Sequence, residues 1–330
     1  DYTRLQNQQL AAIAQEKVQP VGMALRVFPR LLYGEGHAYS TPFRGTGTEE
    51  SVTQLTTAGL KEFHETFFKP NNATLVVVGD VNRDELEPLL EQQFRRWSAG
   101  DIPQKNIDLV GMPSQPTVYL VDRPDSEQSV IFAGHVAPPK NNDREIAIEA
   151  MNEVLGGSFN ARVNMNLRED KHWSYGARSL LLDAEGQRPF LVYAPVQTDK
   201  TSESMAEIYR EVTEIRGERP PTPDEVARAK DKNTLTLAGR WETADAVAAS
   251  LAEMVRFGLP DDYWNTYPDQ VRALSDQQIS SAASDVLQPD SMVWVVVGDR
   301  AKIESGIREL GYGDIILMDA DGNVLDAEGP

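Results

Sequence analysis

The sequence predicts an α+β protein built as a duplicated domain of helices packed on a largely antiparallel sheet, with the first copy truncated at its N-terminus. Three observations carry this. Amphipathic helical segments alternate with short apolar strands joined by tight turns, a pattern that suits helices layered on one face of an antiparallel sheet. One block occurs twice: residues 55–80 read LTTAGLKEFHETFFKPNNATLVVVGD, and residues 274–299 read LSDQQISSAASDVLQPDSMVWVVVGD. In each, a capped amphipathic helix leads to a proline and then to an apolar strand closing on Gly-Asp. The spacing is the third observation. Pro70 and Pro289 are 219 residues apart (289 − 70), too long for a solenoid repeat and suited to a duplicated domain. On this period, residues 1–104 are the C-terminal part of a first unit and residues 105–330 a second, complete unit. The first unit would then begin ~110 residues ahead of Asp1.

The elements follow in order. Residues 2–17 carry Leu5, Leu10, Ile13 and Ala14 among glutamines and read as a helix. Pro20 suits the first turn of a second helix, 21–32. Residues 33–47 form a glycine-punctuated loop. Thr57 is a plausible N-cap for a helix over 58–67. Pro70-Asn71-Asn72 ends it before a strand over 73–79, and a charged helix spans 83–97. Residues 98–115, with two glycines and two prolines, make the linker. Strands over 117–122 and 127–136 open the second unit. Pro138-Pro139 stops the second of them, and Asn142 or Asp143 caps a helix to Leu155. Residues 159–168 read as helical. Strands over 174–182 and 190–195 flank the turn at 184–186. Helices are expected over 198–216, from 223 to about 237, over 241–257 and within 260–276. The repeated block and a charged helix over 301–310 close the chain.

Composition narrows the function. The 330 residues, 40% hydrophobic and 25% charged, are ordinary globular usage and enough for two domains. The net charge of −19 leaves no basic patch to displace counterions from nucleic acid or an anionic membrane, and it suits a cleft that takes basic peptides. There is no cysteine, which excludes disulfides, thiol nucleophiles and cysteine–zinc sites. No apolar run approaches the ~18 residues of a membrane span. The chain opens on Asp rather than Met, as a processed chain or a piece of a longer one would.

The stretch with chemical promise is Leu167-Arg168-Glu169-Asp170-Lys171-His172-Trp173-Ser174-Tyr175-Gly176, which follows the turn Gly156-Gly157-Ser158-Phe159. Arg168 offers a planar fork of donors and Tyr175 a hydroxyl. Facing one cleft, they would grip a peptide backbone. The plainer alternative is a surface arginine in an ion pair and a half-buried strand aromatic.

Set in order, these segments resemble the pitrilysin/insulinase-type zinc metallopeptidases, the inverzincins. The resemblance lies in Tyr33-Gly34, His37-Ala38-Tyr39, Pro70-Asn71-Asn72-Ala73 and Val77-Val78-Gly79-Asp80. In the second unit it lies in Leu155-Gly156-Gly157-Ser158-Phe159-Asn160-Ala161-Arg162, then Leu167-Arg168-Glu169 and Tyr175. The resemblance implies a processing-peptidase-like fold in which two homologous halves close around an unfolded peptide, with zinc in one half. It implies substrate binding by Arg168 and Tyr175, with Tyr175 also able to contact the transition state. The partners it implies are a peptide or unfolded polypeptide and the N-terminal catalytic half, in the same chain or another subunit. It implies a periplasmic or secreted bacterial location, or a mitochondrial one.

The family's metal motif is H-x-x-E-H on one helix, completed by a distant glutamate. None of His37, His64, His135 and His172 forms it, and Ala11-Ala12-Ile13 stands where the third ligand is expected. Alanine cannot ligate zinc, so zinc is expected in the parent enzyme and not in this segment. The segment then reads as the non-catalytic half of a metalloendopeptidase. The alternative is a scaffold or partner subunit of the same fold without a hydrolytic role. His37 reads as structural and His172 as a loop or helix-end residue, with substrate contact as its other reading. Asp319-Ala320-Asp321-Gly322-Asn323 reads as a turn, since it lacks the later glutamate of a calcium loop.

Overall fold

The structure is a computed structural model that describes residues 1–325. The chain opens with α1 (Tyr2–Glu16), α2 (Pro20–Tyr33), α3 (Glu49–Gln54), α4 (Thr57–Phe67) and α5 (Arg83–Phe94). Next come β1 (Thr117–Asp122), β2 (Gln128–Ala137), α6 (Glu145–Asn152) and α7 (Arg162–Asn164). It continues through β3 (Arg178–Leu181), β4 (Arg188–Gln197), α8 (Thr201–Glu214), α9 (Pro223–Leu235) and α10 (Leu237–Arg240). It closes with α11 (Ala244–Phe257), α12 (Tyr263–Ala273), α13 (Asp276–Val286), β5 (Val293–Gly298), α14 (Arg300–Glu309) and β6 (Ile315–Met318).

The strands form one six-stranded sheet in the order β3-β4-β2-β5-β1-β6. The β3–β4, β4–β2 and β2–β5 ladders are antiparallel, and the β5–β1 and β1–β6 ladders are parallel. On one face, Ile131, Phe190, Val192, Trp294 and Val296 pack against α6, α8, α13 and α14 through Met151, Ile208, Ile279 and Ile303. This is the expected helical layer.

The second face is covered as well. β2 and β5 are buried at almost every position, on both of their faces. α2 covers the second face with Ala24, Val27, Phe28 and Leu32, laid on Val130, Phe132, Leu191, Val293 and Val295. The Phe28 and Phe132 rings lie 5.9 Å apart. A helix from the first 33 residues therefore completes the core around the sheet. Arg26, on the same helix, is buried and paired with Glu16 at 3.1 Å and Asp321 at 3.2 Å, tying α1, α2 and the C-terminal turn together.

The two copies of the repeated block differ sharply. Ile279, Trp294 and Val296 are wholly buried, whereas the matching Leu60, Leu75 and Val77 are 46%, 61% and 43% exposed. The strand expected over 73–79 makes no ladder among the described residues. Its apolar alternation resembles that of β5, but a strand is held by partner strands, and here none flanks it.

Smaller differences are local. Thr56, not Thr57, caps α4, its Oγ1 accepting from the Gly59 N–H at 3.0 Å. Asn142 accepts from the Arg144 N–H at 2.9 Å, a turn that precedes α6 rather than capping it directly. The helix expected over 241–257 begins only at α11, capped by the Thr243 hydroxyl. The helix expected over 159–168 is the short α7 followed by a π-helical turn, Met165–Asp170. β6 lies outside every element the sequence pattern marked.

Candidate functional site

The segment between α6 and β3 is built from wide helical turns. One π-helical turn spans Glu153–Gly157 and another Met165–Asp170. Such turns let extra backbone bulge out of a helix and recur at functional sites. The first brings Gly156 against the backbone of Ser179 on β3, closer than any side chain would permit. The second carries Arg168.

Arg168 is partly exposed. Its guanidinium lies 4.7 Å from the centroid of the Phe159 ring, and its Nε is 3.3 Å from Glu169 Oε1. Both the ion pair of the plainer reading and a free donor edge are thus present.

Tyr175 is placed by a break in strand register. Ser174 pairs with Val196, and Arg178 pairs with Tyr193. Three residues, Tyr175-Gly176-Ala177, therefore stand opposite two, Ala194 and Pro195. This is a β-bulge, a device that re-aims a side chain at the edge of a sheet. Ala177 turns into the helix-covered core, while Tyr175 projects outward, 86% exposed. The half-buried strand aromatic of the plainer reading is not what forms. The Ser174 hydroxyl pins the bulge by donating to Pro195 O at 2.6 Å and accepting from the Gly176 N–H at 3.1 Å.

Arg168 and Tyr175 line one open cleft of about 300 Å³ with Gln128, His172, Trp173 and Gln197. Lys171 and Lys200 lie over the Trp173 ring at 5.1 and 5.9 Å. Asn164, buried beneath, joins the two sides of the cleft. Its Nδ2 donates to Phe159 O at 2.7 Å, and its Oδ1 accepts from the Ala177 N–H at 3.0 Å. It thus supports the platform of Arg168 and the bulge of Tyr175 at once. The sequence signal for Asn164 was weak, because a buried amide is recognised only by what it bridges. The Tyr175-Gly176 pair was the better hint of a bulge.

The arrangement can donate hydrogen bonds to carbonyl or carboxylate oxygens from two directions in a wet cleft. It holds no nucleophile paired with a base. His37 stacks on Tyr33 at 4.9 Å, accepts from the Tyr39 N–H at Nδ1 and meets Asp108 O at Nε2, a structural role. His64 stacks on Phe68 at the surface. His135 is buried in β2, and its lowered pKa of about 4 comes from burial. Among the described residues no three acidic, histidine or cysteine side chains converge on a metal-sized site. Ala11 and Ala12 face solvent on α1. The 319–323 segment is a turn: Asp319 Oδ1 accepts from the Asp321 and Asn323 N–H groups, and Asp321 is engaged by Lys17 and Arg26.

Comparison with known proteins gives a consistent result. Residues 54–233 match the model of the peptidase M16 inactive domain. An uncharacterized zinc protease of Mycobacterium leprae is 25% identical over 213 residues, covering 63% of this chain and 46% of that protein. The chain thus spans about half the length of this curated relative. Among solved structures, the peptidase M16 inactive domain from Pseudomonas fluorescens superposes with a TM-score of 0.81 at 23% identity, over 90% of this chain and 70% of that one. A chain of complex III2 from Candida albicans gives 0.76 at 14% identity, over 96% and 75%. Both likenesses concern the fold.

Proposed function

The chain belongs to the peptidase M16 family, matching its inactive-domain model, and on that premise we propose that it is the substrate-gripping, non-catalytic half of a zinc-dependent endopeptidase. Arg168 and Tyr175 bind the backbone of an unfolded polypeptide, and a separate catalytic half supplies zinc and the hydrolytic step. The observation that carries this is the shared cleft: a π-turn and a β-bulge, distant in local geometry, deliver two hydrogen-bond donors to one opening beneath which Asn164 ties them together. Tyr175, projecting furthest, is the group able to contact the oxygen on which charge develops.

The same reading accounts for the exposed apolar positions of the first unit. Leu60, Leu75 and Val77 are covered, in the working protein, by strands and helices equivalent to those that bury Ile279, Trp294 and Val296. Those elements come from the rest of the first unit, in the same polypeptide or in a partner. Among the described residues no helix is long and apolar enough to cross a membrane.

The test is reconstitution. The chain is combined with its catalytic half, and cleavage of fluorescein-labelled casein and zinc content are measured. Arg168→Ala and Tyr175→Phe are expected to lower turnover about tenfold or more, equivalent to at least ~1.4 kcal/mol, with zinc content unchanged. Unchanged turnover in both variants rejects the grip. If neither piece binds zinc or cuts casein, a scaffold role takes its place.

A further inference from the structure

His172 has backbone φ of +58°, in the left-handed region that favours glycine, and with Asp125 it is one of two non-glycine residues recorded there. A histidine in that conformation is strained, and its neighbours hold it in place. Gln197 Nε2 donates to His172 O at 3.0 Å, and the imidazole Nδ1 lies 3.0 Å from Arg168 O. A carbonyl oxygen only accepts, so Nδ1 carries the proton in that contact. In the neutral ring Nε2 is then an acceptor. Among the described residues it has no hydrogen-bond partner, and the side chain lines the cleft shared by Arg168 and Tyr175.

We propose that His172 is a third substrate contact, accepting a hydrogen bond through Nε2 from a backbone N–H of an extended polypeptide. This rests on the peptide-binding reading of the same cleft. The argument is one of complementarity. A peptide unit brings one acceptor and one donor. Arg168 can only donate, and Tyr175 is assigned to a carbonyl oxygen. Glu169 Oε1 is turned to Arg168, and the Gln197 amide nitrogen donates to His172 O. A bound chain brings N–H groups that need acceptors, and the free Nε2 of His172 stands beside Arg168 and Tyr175 to supply one, next to the Gln128 and Gln197 amide oxygens of the same cleft. An unmet donor weakens binding. The strained backbone has its explanation here as well, since a glycine would sit at this position without strain and without the acceptor.

The experiment uses the full chain with fluorescein-labelled casein as the probe, followed by anisotropy, and urea unfolding in parallel. His172→Gly should move the two readouts in opposite senses. The unfolding midpoint rises as strain is released, while the dissociation constant increases about fivefold to tenfold, a loss of ~1–1.4 kcal/mol. His172→Asn, which tolerates the left-handed region and keeps a side-chain acceptor, should retain part of the affinity. A His172→Gly variant with a raised midpoint and unchanged affinity overturns the proposal, as does one with a lowered midpoint. Arg168→Ala and Tyr175→Phe are measured alongside. If they weaken casein binding and His172→Gly does not, only the third contact fails. If all three leave binding unchanged, or the unsubstituted chain does not bind casein, the peptide-binding reading itself fails.

Discussion

Gly156 lies so close to Ser179 that an added Cβ would fall 2.2 Å from its amide nitrogen and 2.6 Å from its hydroxyl oxygen. Backbone cannot yield as a flexible side chain would, so Gly156→Ala must push the π-turn away from β3. We expect a loss of about 1–3 kcal/mol in urea unfolding, with casein affinity falling because a displaced β3 shifts the adjoining bulge that aims Tyr175. An unfolding midpoint equal to that of the parent chain would show that the turn can move freely.

Asn164 holds two backbone groups with one carboxamide. Asn164→Ala orphans the Phe159 carbonyl and the buried Ala177 N–H, and should cost about 1–3 kcal/mol for each group left unsatisfied. Asn164→Asp keeps the acceptor for Ala177 and loses the donor to Phe159. Hydrogen exchange at the Ala177 amide separates the two variants: fast exchange is expected in the first, and protection retained in the second. Equal protection in both would remove Asn164 from this role.

His135 sets an acid limit on stability. Its ring is wholly buried, with Nδ1 at 2.9 Å from Val136 O and Nε2 accepting from the Gln288 N–H at 3.1 Å. Burial lowers its pKa from 6.5 to about 4. The native state thus binds a proton less readily than the unfolded chain. No penalty exists above pH 6.5. As pH falls from there towards 4, the unfolded state is favoured progressively, by about 3 kcal/mol in all. Urea midpoints at pH 7, 5.5 and 4.5 should decline for the parent chain and decline less for His135→Gln. Parallel slopes would assign the acid sensitivity elsewhere.

Arg188 is fully buried and bonded to Glu145 at 2.8 and 2.5 Å and to Asp183 at 2.5 Å. Lys140 joins the same group through Glu145, Glu149 and Asp183, and Tyr267 donates to Glu149 at 3.0 Å. Burial alone would lower the Lys140 pKa, but Glu149, Glu145 and Asp183 overcome it and hold the ammonium above its usual range. Arg188→Met leaves buried carboxylates with one cation among them. A loss of about 3–5 kcal/mol is expected, read as a lowered thermal midpoint. Arg188→Met combined with Glu145→Leu should recover part of it. A lone Arg188→Met variant as stable as the parent would mean the carboxylates reach water.

The sequence revealed what local pattern alone decides. β1, β2, β4 and β5 were readable because apolar runs of strand length lay between turn residues. The same signal over 73–79 misled, since it reports a residue's fitness for a strand and not the presence of partners. Arg168 and Tyr175 were identified by type and by resemblance, and the structure brings them to one cleft. The bulge that aims Tyr175 depends on register against Val196 and Tyr193, a relation between segments that no single stretch contains. The seating of α2 on β2 and β5 was hidden for the same reason. Its apolar stripe announced a covered face without saying which sheet would cover it.

That seating has a consequence for biogenesis. Phe28 leaves the ribosome long before β5, the last of the strands that α2 covers, because β5 lies near the far end of the chain. At roughly 5–20 residues per second, on the order of 10 to 50 s separate the emergence of α2 from that of β5. Until then the apolar stripe of α2 can meet Val130, Phe132 and Leu191 but lacks the Val293 and Val295 part of its native surface. The nascent chain must either shield it with a chaperone or hold it against a transient neighbour, so a delay in finishing β5 is a direct route to aggregation.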